Sequence, residues 1–111
     1  MTVEEMLAGL VERFNRHADR TPAVRDELKG LERTIALELA DGGRYAIDLK
    51  DGRLTNLRSD RPPRADVTIH TDVVTFEGLI TKEIGPMKAL VTRRLVIDGS
   101  LDDKLLFRKL L

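Results

Sequence analysis

Thr2 and Glu5 open the chain with the spacing of a capping box. Met6, Leu7, Leu10, Val11 and Phe14 then recur at helical intervals between charges, which predicts a first amphipathic helix. A second, short helix is predicted from Thr21, with Pro22 as its pre-set first residue; it buries Val24 and Leu28 and stops at Gly30. Beyond Gly30 the period falls to two. Leu31, Ile35, Leu37 and Leu39 alternate with Glu32, Thr34, Ala36 and Glu38, the pattern of a half-buried strand. Asp41-Gly42-Gly43 predicts a tight turn, and Tyr45, Ile47 and Leu49 alternate on the way back. Pairing Ala40 with Arg44 sets Leu39 opposite Tyr45, Leu37 opposite Ile47 and Ile35 opposite Leu49, all on one face. Asp51-Gly52 is a two-residue hairpin turn that places Leu54 opposite Leu49, whereas Leu57 falls out of phase and predicts a bulge near Asn56.

The loop Arg61-Pro62-Pro63-Arg64 precedes a fourth strand through Ala65, Val67 and Ile69. Helical spacing returns at Thr71 or Asp72 with Val73, Phe76, Leu79, Ile80 and Ile84. Gly85-Pro86 restarts the chain as another short helix burying Met87, Leu90 and Val91. Leu95 and Ile97 form a short fifth strand ended by Gly99, and Ser100 with Asp103 caps a last helix. The expected class is α+β: a five-stranded, mostly antiparallel sheet with helices packed on one face.

Twelve apolar residues share one sheet face in this reading: Leu31, Ile35, Leu37, Leu39, Tyr45, Ile47, Leu49, Leu54, Val67, Ile69, Leu95 and Ile97. The last helix adds Leu101, Leu105, Leu106, Phe107, Leu110 and Leu111, a stripe too wide for a helix with one side in water. Either that surplus lines a cavity, meets a partner chain or closes an opening, or the core is fully packed and the terminus frays.

Composition narrows the classes. A chain of 111 residues is expected to form one domain, residues 1–111. It has 19 basic and 19 acidic side chains, so it carries no overall positive field for nucleic acid. With no cysteine there is no disulfide, thiolate zinc site or thiol nucleophile. No apolar run reaches a membrane span, and the acidic N-terminus is unlike a secretory signal; a cytoplasmic location is the expectation. Residues 1–81 hold 12 basic and 15 acidic groups, net −3, and residues 82–111 hold 7 and 4, net +3. Either the halves neutralise each other across a solvated surface, or Lys82, Lys88, Arg93, Arg94, Lys104, Arg108 and Lys109 form a weakly basic face for phosphates or acyl headgroups.

Little points to catalysis. His17 and His70 stand apart from any nucleophile motif, and the two histidines with scattered carboxylates suggest no metal set. Asp102 and Asp103 suit a helix N-terminus better than acid–base work. No glycine-rich phosphate loop opens a helix, and the four aromatics, Phe14, Tyr45, Phe76 and Phe107, fall on faces expected to be buried. No cofactor is expected.

The order of motifs from Ala65 onward resembles the sterol carrier protein type 2 domain. Ala65-Asp66-Val67-Thr68-Ile69 is followed by Asp72 and Phe76 ahead of Leu79-Ile80, then by Lys82, Ile84 and Pro86. Arg94-Leu95-Val96-Ile97-Asp98-Gly99 comes next, and Lys104-Leu105-Leu106 closes the series. Upstream, Ile47-Asp48-Leu49-Lys50-Asp51-Gly52 is similar to the family's hairpin turn. The resemblance implies helices backing a five-stranded sheet, with an apolar tunnel between them that binds a fatty acid, acyl-CoA, phospholipid or sterol without catalysis. Carried onto this chain, it implies a wall of Phe76, Leu79, Ile80, Ile84, Met87, Leu90, Leu105 and Leu106 facing Ile35, Leu37 and Ile47.

Lys88, Arg93, Arg94 and Lys104 are the candidates for a lipid carboxylate or phosphate at the rim. Arg93 stands where the family commonly has glycine, and Gly85 precedes Pro86 in place of the usual residue. The chain stops at Leu111 without a longer tail or a peroxisomal tripeptide, so the expected form is a stand-alone prokaryotic carrier that touches membranes at most transiently. The competing expectation is an accessory module with a closed core that dimerises through the last helix.

Overall fold

The computed structural model describes residues 2–60 and 62–110, with side chains through Leu106. The chain runs α1 (Val3–Arg20), α2 (Pro22–Leu28), β1 (Glu32–Leu39), β2 (Gly43–Lys50), β3 (Arg53–Arg58), β4 (Val67–Thr71), α3 (Val73–Ile80), α4 (Pro86–Val91), β5 (Val96–Gly99) and α5 (Leu101–Leu110). Arg61 and the side chains of Phe107, Arg108, Lys109, Leu110 and Leu111 lie outside the described residues. Among the described residues no helix is long and apolar enough to cross a membrane.

The sheet has the order β3-β2-β1-β4-β5. β1, β2 and β3 form an antiparallel meander, β4 lies parallel to β1, and β5 is antiparallel to β4. The parallel pair requires a crossover from β3. It passes the outer face, where Pro62 and Pro63 line an open cleft together with Ala36, Glu38 and Thr68. Odd-numbered residues of β1, β2, β4 and β5, with Leu54 of β3, face the opposite way and build the inner face in rows. One row reads Tyr45, Leu37, Ile69 and Ile97 across four strands; the next reads Ile47, Ile35 and Val67.

One expectation on register needs correcting. Leu37 lies opposite Tyr45 and Ile35 opposite Ile47, so Leu49 faces Arg33 and Leu39 faces Gly43. The turn closes one residue early: Gly42 donates its N–H to the Leu39 carbonyl at 3.4 Å, and Gly43, at φ 92°, opens the return strand. The slip is two residues, so no side chain changes face. The second hairpin follows the prediction, with Asp51 and Gly52 both at positive φ and Leu49 opposite Leu54. So does the bulge: pairing shifts between Asp48↔Thr55 and Ala46↔Arg58, with Asn56 at φ 56°.

Helix α1 is pinned along its length. Its capping box is formed by Thr2 and Glu5. Tyr45 donates its hydroxyl to Glu4 Oε1 at 2.7 Å near one end. Towards the other, Asn15 bonds the backbone of Leu54 twice, accepting from its N–H at 2.7 Å and donating to its carbonyl at 2.9 Å. Two apolar clusters result. Met6, Leu7, Leu37, Leu39, Tyr45 and Phe76 form one; Leu28, Ile35, Leu49 and Leu54 form the other.

Candidate functional site

Helices α1 and α2 cover the inner face through Met6, Leu7, Phe14 and Leu28, while α3 reaches it with Phe76 and α5 with Leu106. Asp72 caps α3, accepting the Thr75 N–H at 2.7 Å, and this bond holds its carboxyl below the usual range. Asp41, in the first hairpin turn, accepts the Val73 N–H at 3.0 Å and ties the same helix end to β1 and β2. Phe76 is thereby buried in the first cluster, with Ile80 against it. Gly78 leaves the space that Ile84 fills, since a Cβ there would overlap the Ile84 side chain. Leu106 on α5 joins Ile35 and Ile47 in the second cluster. Ile69 packs against both clusters and marks the seam between them.

Six of the eleven expected wall residues therefore meet in these clusters: Ile35, Leu37, Ile47, Phe76, Ile80 and Leu106. Leu79, Ile84 and Leu90 are half-buried. Met87 and Leu105 stand at the surface, 47% and 53% exposed. The helical period explains both. On α4 the buried residue is Ala89, which turns Met87 and Val91 outward; on α5, Asp103 and Leu106 point in, which turns Leu105 away.

The expected cations do not share one rim. Arg93 and Arg94 enter β5 at the end marked by Thr71, whose hydroxyl donates to the Arg94 carbonyl at 2.8 Å. Lys104 lies past the other end, where Gly99 pairs with Val67. Arg94 is also engaged, donating Nε to the fully buried Thr75 hydroxyl at 3.2 Å. Arg93 adopts φ 62°, the left-handed conformation in which glycine carries no Cβ penalty. That conformation accounts for glycine at this position in the resembled family.

Sequence reasoning missed Arg33. It lies on the inner face opposite Leu49, and its Nε donates to Asp103 Oδ1 at 2.9 Å; the pair holds the guanidinium more firmly protonated than usual. The signal was available, since Arg33 has the apolar parity of Leu31 and Ile35, and an inward charge needs a partner. Ser100 accepts the Asp103 N–H at 3.1 Å, as expected of a cap, but the Asp103 carboxylate serves Arg33.

Two clefts among the described residues are open and polar. One, of about 290 Å³, lies on the outer face between Pro62, Pro63 and His70. The imidazole there faces Glu38 at 3.2 Å and Asp98 at 3.0 Å, bridging β1, β4 and β5. The other, of about 310 Å³, opens beside Arg33 at the ends of β1 and β2.

Comparison with known proteins agrees with this architecture. The model of the SCP-2 sterol transfer family matches residues 12–111. No curated protein matches the chain. Among solved structures, palmitated SCP2L2 from Aedes aegypti is 18% identical with a TM-score of 0.70, over 99% of this chain and 94% of that one. A conserved protein of Thermus thermophilus, described as possibly sterol carrier protein, is 20% identical with a TM-score of 0.57, over 83% and 71%. A stereoselective inverting sec-alkylsulfatase from Pseudomonas sp. is 25% identical with a TM-score of 0.60 over 78% of this chain, which spans only 14% of that enzyme. With the family model matched over residues 12–111 and the sheet and helices shared with these structures, the chain belongs to the SCP-2 sterol transfer family.

Proposed function

We propose that this protein binds and transfers a lipid, without chemistry, holding its apolar part between the inner sheet face and helices α3 and α5. The observation that carries the reading is the seam at Ile69. There the face built by Ile35, Leu37 and Ile47 passes from the Phe76 cluster to the Leu106 cluster, in a fold shared with a palmitated relative. Leu79, Ile84 and Leu90 extend the wall on the α3–α4 side. A chain of about sixteen carbons buried there gains about 12 kcal/mol gross at roughly 0.8 kcal/mol per methylene, and association and ordering cancel several of these. An aliphatic wall discriminates poorly among tails.

Selectivity then falls to the polar end, which we assign to Arg33, at the open cleft by the β1–β2 ends, and to Lys104, exposed on α5 next to Asp103. Access requires α5 to lift, and α5 is held by Leu106 and by the Arg33–Asp103 pair. Native mass spectrometry of freshly purified protein tests the proposal: retained lipid adds mass, and Leu106→Glu loses it. A chain that retains no lipid and binds no fluorescent fatty acid ends the reading. Equal affinity for a free acid and its methyl ester ends the assignment of the cations.

A further inference from the structure

Between Glu83 and Asp98 the chain has no carboxylate and three cations, Lys88, Arg93 and Arg94. This stretch contains α4, which buries only Ala89 fully and presents Met87 and Val91, 47% and 78% exposed, at an i,i+4 spacing that puts them side by side. Lys88 is exposed next to Met87. Beyond Val91 the helix closes with both bonds of a Schellman motif, Arg93 N–H to the Leu90 carbonyl at 3.2 Å and Arg94 N–H to the Ala89 carbonyl at 2.9 Å. That motif demands a left-handed residue, and here it is Arg93 at φ 62°. A glycine would satisfy the motif without strain, so the arginine gives up local stability while placing a cation at the end of an exposed apolar face.

We infer that this face of α4 docks on an anionic lipid bilayer. Met87 and Val91 enter the headgroup layer while Lys88 and Arg93 meet lipid phosphates and carboxylates. Exposed apolar side chains flanked by cations, with no carboxylate in the segment, are what a negatively charged interface attracts. Arg94 contributes less, because its Nε is already given to Thr75. The inference is independent of which lipid the inner face takes.

Co-sedimentation of the full chain with phosphatidylcholine vesicles, with and without phosphatidylserine, tests it. Binding is expected only to the phosphatidylserine vesicles and weakens as salt rises. Met87→Glu and Val91→Glu each lower the partition coefficient about tenfold, and Arg93→Gly lowers it about fivefold, the share of one interfacial cation. Arg93→Gly also melts no lower than the parent, which separates docking from folding. Arg20→Gln, exposed at the C-terminal end of α1, leaves partition unchanged. No binding, equal binding to neutral vesicles, or parental binding by the two glutamate variants while circular dichroism shows them folded overturns the inference.

Discussion

Arg33 and Asp103, 70 positions apart in sequence, meet at 2.9 Å on the core-facing side of the sheet and tie α5 to β1. Their side chains are 30% and 11% exposed, so the pair is partly desolvated, and without the Asp103 carboxylate the guanidinium is left with the neutral Glu32 carbonyl at 2.9 Å. Asp103→Asn is expected to cost about 1–2 kcal/mol in urea denaturation, in the range of a hydrogen bond to a charged group. The same variant releases a bound fluorescent fatty acid faster, because α5 is freer to lift. Replacing both residues by leucine recovers most of the stability. A single variant as stable and as slow to release as the parent would show that the pair does not hold α5.

Asp72 couples the start of α3 to pH. Its carboxyl titrates below the usual range because the backbone N–H of Thr75 donates to it, followed by the Thr75 hydroxyl and the positive charge of Arg94. A depressed carboxyl contributes stability that is complete above the unfolded value, about pH 4, and is lost as pH falls through the folded one. Near neutrality Asp72→Ala is expected to cost about 1 kcal/mol. The gap from the parent closes in acid, whereas Asp72→Asn keeps part of the cap and removes the pH dependence. A parent–alanine gap that stays constant into acid refutes this.

Strand and helix positions were legible because apolar parity and cap residues are local signals. The bulge at Asn56 could be read from the phase of Leu57, and the α3 cap from Asp72. Strand order could not be read. The parallel β1–β4 pair depends on where the 59–66 segment crosses, and nothing in Pro62-Pro63 encodes a direction. The wall residues were legible as a composition but not one by one: Leu105 and Leu106 are equally apolar, and only the inward turn set by Asp103 decides between them. The cations read as one rim in the sequence because proximity along the chain hides that β5 lies between Arg93 and Lys104.

The Tyr45–Glu4 bond should give α1 docking a window in pH. Tyr45, only 6% exposed, has its hydroxyl pushed above the ordinary phenol value, first by the bond to Glu4 and then by burial; the same bond depresses Glu4. The Glu4 contribution is present above the ordinary carboxylate range and lost as pH falls through its folded value. The Tyr45 contribution is present below the ordinary phenol value and lost as pH rises through its folded value. Tyr45→Phe should therefore flatten both limbs of a melting-temperature profile against pH. An unchanged profile would mean the bond does not persist in solution.

Gly78 and Ile84 offer a test in which the sign reverses. A Cβ at Gly78 would run into the Ile84 side chain, so Gly78→Ala alone forces that side chain to move, an overpacking cost of about 1–3 kcal/mol. Alanine is also favoured over glycine inside a helix by about 1 kcal/mol, which offsets part of that cost. In an Ile84→Ala background the obstacle is gone and only the helical preference remains. Gly78→Ala should then stabilise the protein by about 1 kcal/mol, after Ile84→Ala has itself cost about 2–4 kcal/mol. Urea denaturation of the four proteins gives the coupling directly. If Gly78→Ala changes stability equally in both backgrounds, Ile84 does not occupy the space the glycine leaves, and its place in the proposed lipid-facing wall falls with it.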